Sequence, residues 1–365
     1  MLKFEHRFAI EILTPEGLSL GQFEVPIDWE PARESVRLIH LRNGSPSAAA
    51  GEGTVRVEPV WDSAAPGEPY AVAVRLIDGE AVGEIHKDYF KPLAIEISSG
   101  LVEKKVLKAG DLYVFRILAY RETPQPPSSV GIPFTVRNTT PTVSLIESSF
   151  TELAEEGTVV EGGEAHPEDL PVLIPQSVLD EVEALTLEAG SAETGGILIG
   201  HLYKDASLPE IAVVVTAQIP ARHTVSKTTK LTFTAETWTA VQAALDLRRS
   251  GEKMVGWFHS HPSFAFCNPE CPPERRATCA LQKPFLSGDD LLLHRAVFAK
   301  AWQVALLCNN ADAGLEFALF GWRHGLVQRR GFTLLGDSGR AQERRPHLLT
   351  QPSTGELAHA PSCQK

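Results

Sequence analysis

Only five of the 365 residues are cysteine, and none precedes Cys267. So few thiols do not make a disulfide-stapled secreted scaffold, and the expectation is a reducing, cytoplasmic setting. No apolar run reaches the ~18 residues that a membrane-spanning helix needs. The opening stretch Met1-Leu2-Lys3-Phe4-Glu5-His6-Arg7 lacks the apolar core of a signal peptide, so no leader is expected. Positive charge is also short. The formal net charge is −12, which argues against nucleic-acid binding by the chain as a whole. No serine nucleophile elbow is found, and residues 1–122 hold no metal cluster, phosphate-binding loop or internal repeat.

The remaining composition, 43% hydrophobic, is that of a globular protein with room for about two or three domains. Residues 1–122 read as β-rich. Partial alternation marks strands at Phe8–Leu13, Val36–Leu41, Val55–Val60, Ala71–Leu76 and Leu112–Leu118, separated by turn signals such as Pro15-Glu16-Gly17 and Asp78-Gly79. Repeated short strands predict a sandwich or small barrel serving recognition or assembly. Residues 123–169 read as a Pro-rich and acidic linker. Glu147, Glu152, Glu155, Glu156, Glu161, Glu164, Glu168 and Asp169 occur there with no Lys or Arg from 141 to 170. They are either a solvating spacer or a steering surface for a basic partner. Beyond Gly336 the polar tail to residue 365 is expected to be disordered.

Residues 170–335 read as mixed α/β, with helices near Ser177–Leu185 and Ala235–Arg249 and strands at Gly196–Tyr203, Ile211–Ala217, Trp302–Asn309 and Leu315–Trp322. Within this half lies His259-Ser260-His261-Pro262, preceded by the apolar run Met254–Phe258. Two histidines one residue apart on a strand project to the same side, and Pro262 biases His261 toward extended backbone. With a carboxylate such as Asp290 they form a three-ligand site that leaves one zinc position open, the arrangement of a hydrolytic rather than a structural zinc. Ser287 and Asp290 have a plainer explanation, a capping box opening the helix Leu291–Ala296. A helix start is a rigid mount, so the two roles are compatible.

Glu193, the His259/His261 pair and Ser287-Gly288-Asp289-Asp290, in that order, resemble the JAMM zinc metalloproteases (the JAB or MPN-plus family). Their motif is a glutamate, then His-Ser/Thr-His-Pro, then Ser-x-x-Asp. The resemblance covers about residues 170–335. It implies an α+β chain: a C-terminal α/β JAB/MPN domain of the cytidine deaminase-like kind, preceded by the β-rich domain. It implies Zn2+ held by His259, His261 and Asp290, with Glu193 as the general base and Ser287 as the oxyanion donor. It also implies cleavage of peptide or isopeptide bonds after the C-terminus of a ubiquitin-like protein, of the bacterial deconjugase type, in some cases within antiviral conjugation systems. Partners would be the ubiquitin-like protein or its conjugates, with activating and conjugating enzymes of the same system. Release of a sulfur-carrier protein, or a non-catalytic MPN scaffold, remains an alternative.

One departure from the pattern stands out. Twenty-five residues separate His261 from Ser287, where the family has a shorter connection. This insertion contains Cys267, Cys271 and Cys279, a spacing that either holds a second, structural zinc with His294 or Cys308 as fourth ligand, or is a proline-stiffened loop of reduced thiols at the rim. Residues Ala221–Thr234 occupy the place where deubiquitinating members of the family carry a substrate-gripping insertion.

Overall fold

The computed structural model describes residues 2–43, 55–121, 143, 145–147, 157–162, 166–205, 210–221, 224–227, 230–267 and 271–336. The N-terminal unit comprises β1 (Leu2–Phe4), β2 (His6–Leu13), β3 (Ser19–Phe23), α1 (Glu30–Arg42), β4 (Val55–Trp61), β5 (Tyr70–Asp78), β6 (Ala81–His86), α2 (Lys91–Glu103) and β7 (Val114–Arg121). Its seven strands form one sheet in the order β1-β4-β5-β7-β2-β3, with β6 also paired to β5. Phe8, Ile10 and Ile12 share a core with Ala32 and Val36 of α1 and with Ala94, Ile97 and Leu101 of α2. Both helices therefore cover the same sheet face.

The unit is β-rich as expected, but its second layer is helical, which corrects the sandwich or barrel. The reason lies in Val36–Leu41, expected as a strand and observed within α1. Pro31 in the first turn, Glu30 at its start and His40 and Arg42 at its end all favour a helix, and Ala32 and Val36 recur four residues apart on its buried side. Helical spacing outweighs a short alternation.

The C-terminal half comprises β8 (Ile146–Glu147), β9 (Thr158–Val160), β10 (Val172–Pro175), α3 (Gln176–Ala189), β11 (Gly195–Lys204), β12 (Ile211–Pro220), β13 (Thr224–Lys227), β14 (Lys230–Phe233), α4 (Ala235–Arg248), β15 (Lys253–His261), α5 (Pro273–Ala277), α6 (Gly288–Val297), β16 (Val304–Ala311), β17 (Gly314–Arg323), β18 (Leu326–Arg330) and β19 (Phe332–Leu335). A ten-stranded mixed sheet runs β18-β17-β16-β15-β11-β12-β10-β19-β9, with β8 on β11. Successive β11 residues divide between its faces. Leu198 and Leu202 pack with Val178, Leu179 and Val182 of α3, whereas Ile197 and Ile199 pack with Val241 of α4, Trp257 and Phe298. β13 and β14 form a separate hairpin in the stretch expected to carry an insertion.

Two pieces of the segment read as a linker, β8 and β9, pair with this sheet, and Val143, Leu145 and Val160 pack on its core. Half of the eight acids of the run, Glu152, Glu155, Glu156 and Glu164, lie outside the described residues, as does the tail from residue 337. Among the described residues no helix is long and apolar enough to cross a membrane.

α1 serves both halves. Ala32 and Val36 lie in the N-terminal core, while Leu38 and Leu41 pack on the core beneath α3. Glu34, buried on α1, receives Lys300 Nζ at 3.1 Å, and Asp28 receives Arg295 of α6 at 3.1 Å. At the β17–β18 turn, Gly325 (φ +77°) lies so close to the N-terminal unit that a Cβ would come within 2.6 Å of the Tyr89 ring. Gly79, in the β5–β6 turn at φ +60°, has open space instead. Gly79→Ala is expected to cost only left-handed backbone strain, about 1–2 kcal/mol. Gly325→Ala should cost about 1–3 kcal/mol more through overpacking, read as the larger fall in urea midpoint.

Candidate metal centre

β15 is buried over its last seven residues, and Trp257, His259 and His261 alternate with Phe258 and Ser260. A register shift against β11 sets this phase. Leu198 pairs with Gly256 but Ile199 with Met254, which leaves Val255 as the extra residue of a bulge. The two imidazoles consequently emerge at the strand end, on the face that Trp257 shares with α4 and Phe298. The indole of Trp257 stacks on His259 with centroids 4.5 Å apart and planes 12° from parallel. Phe285 and Phe266 close around His261 at 5.0 and 5.6 Å. The rings are thus held by packing. Their Nδ1 atoms are buried without a hydrogen-bond partner among the described residues.

Asp290 enters from α6. The capping box predicted from Ser287 is present, with Ser287 N–H donating to Asp290 Oδ2 at 2.7 Å and Asp290 N–H donating to Ser287 Oγ at 3.2 Å. The same Oδ2 lies 3.4 Å from His259 Nε2 and 3.3 Å from His261 Nε2, and the two Nε2 atoms are 3.2 Å apart. Burial pushes the Asp290 carboxyl up, but the His259 charge and hydrogen bonds from His259, His261 and Ser287 outweigh it, holding it well below the usual carboxylate range. Burial, ahead of every other influence, lowers the pKa of His261, favouring the neutral ring that a metal requires.

This near-equilateral triangle can be tested against zinc. Ligands at ~2.0–2.1 Å in a tetrahedron stand about 3.3–3.4 Å from one another. The observed 3.2–3.4 Å matches without rearrangement. The donor set fits, and His259, His261 and Asp290 are the residues that would hold the ion.

Glu193, just ahead of β11, is buried, and its pKa is pushed up to about 8, by burial first and then by the charges of Asp290 and Asp289. Its loop is stapled to the metal strand. Ser260 N–H donates to Thr194 O at 2.8 Å, and Thr194 N–H donates to Ser260 Oγ at 3.0 Å. Sequence reasoning gave Ser260 no role, although a hydroxyl between two ligand histidines was the available signal. It also missed that Trp257 is itself fixed. The indole N–H donates to His294 Nδ1 at 3.0 Å, and burial lowers the His294 pKa to about 3.

The cysteines behave differently. Among the described residues, only His259/His261/Asp290 and His166/Glu168/His324 bring three metal-ligating atoms within 4.8 Å of one another. Cys267, Cys271 and Cys279 are not brought together in this way. Cys267 is buried with Gln282 Nε2 3.5 Å from its sulfur. The proposed fourth ligands point elsewhere, since His294 serves Trp257 and Cys308 lies in the core beneath α3, where burial pushes its thiol up to about 12. Hydrogen bonds hold the insertion in their place. Asn309 accepts from Ser263 Oγ at 2.5 Å and donates to Gln282 O at 2.9 Å, and Arg276 grips Asp312 through two bonds of 2.8 Å.

Residues 170–273 match the family described as JAB1/Mov34/MPN/PAD-1 ubiquitin protease. The chain carries a JAB/MPN domain. The matched span of the JAB/MPN domain contains Glu193, His259 and His261 and stops inside the insertion, before Ser287 and Asp290. No curated protein matches the chain at a significant level. A solution structure of protein DSY2949 from Desulfitobacterium hafniense is similar over 48% of this chain and 99% of that one, at 17% identity and a TM-score of 0.32.

The burial of Glu193 has a measurable consequence in chelator-treated protein. Between the ordinary carboxylate value and about 8 the folded state holds a proton that the unfolded state has lost. Stability from this group is therefore highest at low pH and falls as pH rises through that window, by at most about 1.4 kcal/mol per pH unit. Glu193→Gln removes the dependence. Its thermal midpoint should exceed wild type by more at pH 8 than at pH 5.

Proposed function

We propose that the JAB/MPN domain is a zinc-dependent protease that cuts the peptide or isopeptide bond following the C-terminal tail of a ubiquitin-like protein. The observation that carries this reading is the buried triangle of His259, His261 and Asp290 with the carboxyl of Glu193 facing the same charge. A non-catalytic scaffold has no need of a buried carboxyl kept next to two other acids.

A zinc ion held by these residues supplies a Lewis acid that polarises a carbonyl and acidifies water. The protein supplies the rest. Glu193, once ionised, accepts the proton of the attacking water and returns it to the leaving amine. Added positive charge at the triangle brings its pKa down from about 8. Ser287 Oγ accepts from Asp290 N–H, and its own O–H is left as a donor for substrate. That hydroxyl donates to the oxyanion as the carbonyl becomes tetrahedral. Trp257, Phe266 and Phe285 hold the two imidazoles and keep bulk water from them. The β13–β14 hairpin and the insertion after His261 are the surfaces that would grip an extended tail.

The substrate assignment extends to the partners. A ubiquitin-like precursor or its conjugates, made by activating and conjugating enzymes of the same system, is the expected target, and the antiviral setting of such systems fits it. Incubation with a tail-extended ubiquitin-like protein should yield cleavage that a chelator stops. Glu193→Gln should lower kcat at least about 100-fold with zinc content unchanged, and Ser287→Ala about 100- to 1,000-fold. Undiminished turnover in Glu193→Gln would remove the assigned base.

A further inference from the structure

His166, Glu168 and His324 form a second group of potential metal ligands, in a different part of the molecule from the first. One atom of each lies within 4.8 Å of the other two. Nδ1 of His324 is 3.3 Å from Glu168 Oε2, and the two imidazoles meet edge to face with centroids 5.1 Å apart. Nδ1 of His166 accepts the backbone N–H of Glu168 at 3.2 Å, a bond that a cation taking this lone pair would replace. Arg323 forks onto Asp169, donating through Nε to Oδ1 at 2.9 Å and through Nη2 to Oδ2 at 2.5 Å. His324 (φ +50°) and Gly325 (φ +77°) are the two loop residues of the β17–β18 hairpin, whose turn requires a left-handed backbone at both positions.

We infer that His166, Glu168 and His324 form a second divalent-cation site. Two imidazoles and one carboxylate select an ion of the zinc type over magnesium or calcium, which prefer all-oxygen cages. The site is half-exposed, so solvent completes the coordination. Its position gives it a task. Glu168 and His166 belong to the segment leading into the JAB/MPN domain, and His324 belongs to the β17–β18 turn, whose next residue, Gly325, rests on Tyr89 and Ala32 of the N-terminal unit. A cation bound there clasps the incoming chain to the turn that supports the N-terminal unit. Neither the proposed proteolysis nor its metal enters into this inference.

Zinc is the probe, and metal per chain is counted on the full-length protein after equilibration with zinc chloride and gel filtration. Wild type should retain about two ions, His259→Ala/Asp290→Ala about one, and Glu168→Gln/His324→Asn about one, with the affinity of the lost site reduced about tenfold or more. Asparagine tolerates the left-handed backbone at 324, so this variant keeps the turn. Zinc should also raise the thermal midpoint of His259→Ala/Asp290→Ala, and that rise should vanish when Glu168→Gln/His324→Asn is added. A count of no ions in His259→Ala/Asp290→Ala overturns the inference. So does an unchanged count in Glu168→Gln/His324→Asn, or zinc failing to stabilise His259→Ala/Asp290→Ala.

Discussion

A single carboxylate oxygen organises the centre. Oδ2 of Asp290 takes the Ser287 backbone N–H and faces both Nε2 atoms. Burying a carboxylate is costly unless its partners are fixed. Here each partner is fixed by something other than the carboxylate: one by the start of α6, two by the last residues of β15, which stay paired with β16. The aromatic rings beside the histidines remove the freedom that would otherwise let the triangle relax. Glu193 then takes its character from this centre, because its raised pKa follows from burial and from the same Asp290 charge.

Much of the centre was legible because it depends on local rules. Period-two geometry placed His259 and His261 together, and the Ser287–Asp290 spacing announced a cap that also turned out to aim the ligand. The apolar spacing of α3, and the places of α4 and the major strands of the second half, were legible for the same reason. What was not legible depended on partners distant in sequence. Val36–Leu41 alternates well enough for a strand until Pro31, Ala32 and the two cores that α1 joins are considered. α2 was missed because its apolar residues gain meaning only against the β2 face. The cysteines of the insertion suggested a metal by spacing alone. Spacing says nothing about whether the loop will bring three thiols to one point: Cys267 and Cys279 lie close enough to interact, but among the described residues no third ligating atom joins them.

Ser260 and Trp257 show a different blind spot. Each neighbours a ligand, and each works through a residue remote in the chain, Thr194 in one case and His294 in the other. Single-residue motifs identify the atoms that touch an ion. They do not reveal what keeps those atoms still, which is a property of the packed sheet.

The parallel pairing of β15 with β16 sets His261 opposite Asn309. Asn309 in turn clamps both ends of the insertion, Ser263 at its entry and Gln282 near its exit. The chain between these two points is closed off by one amide, and closing a longer loop adds little entropy cost. Whatever length or chemistry evolution writes into that interval, the ligand atoms on either side need not move. The rim of the cleft can be exchanged to suit a new partner while the machinery beneath it stays as it is.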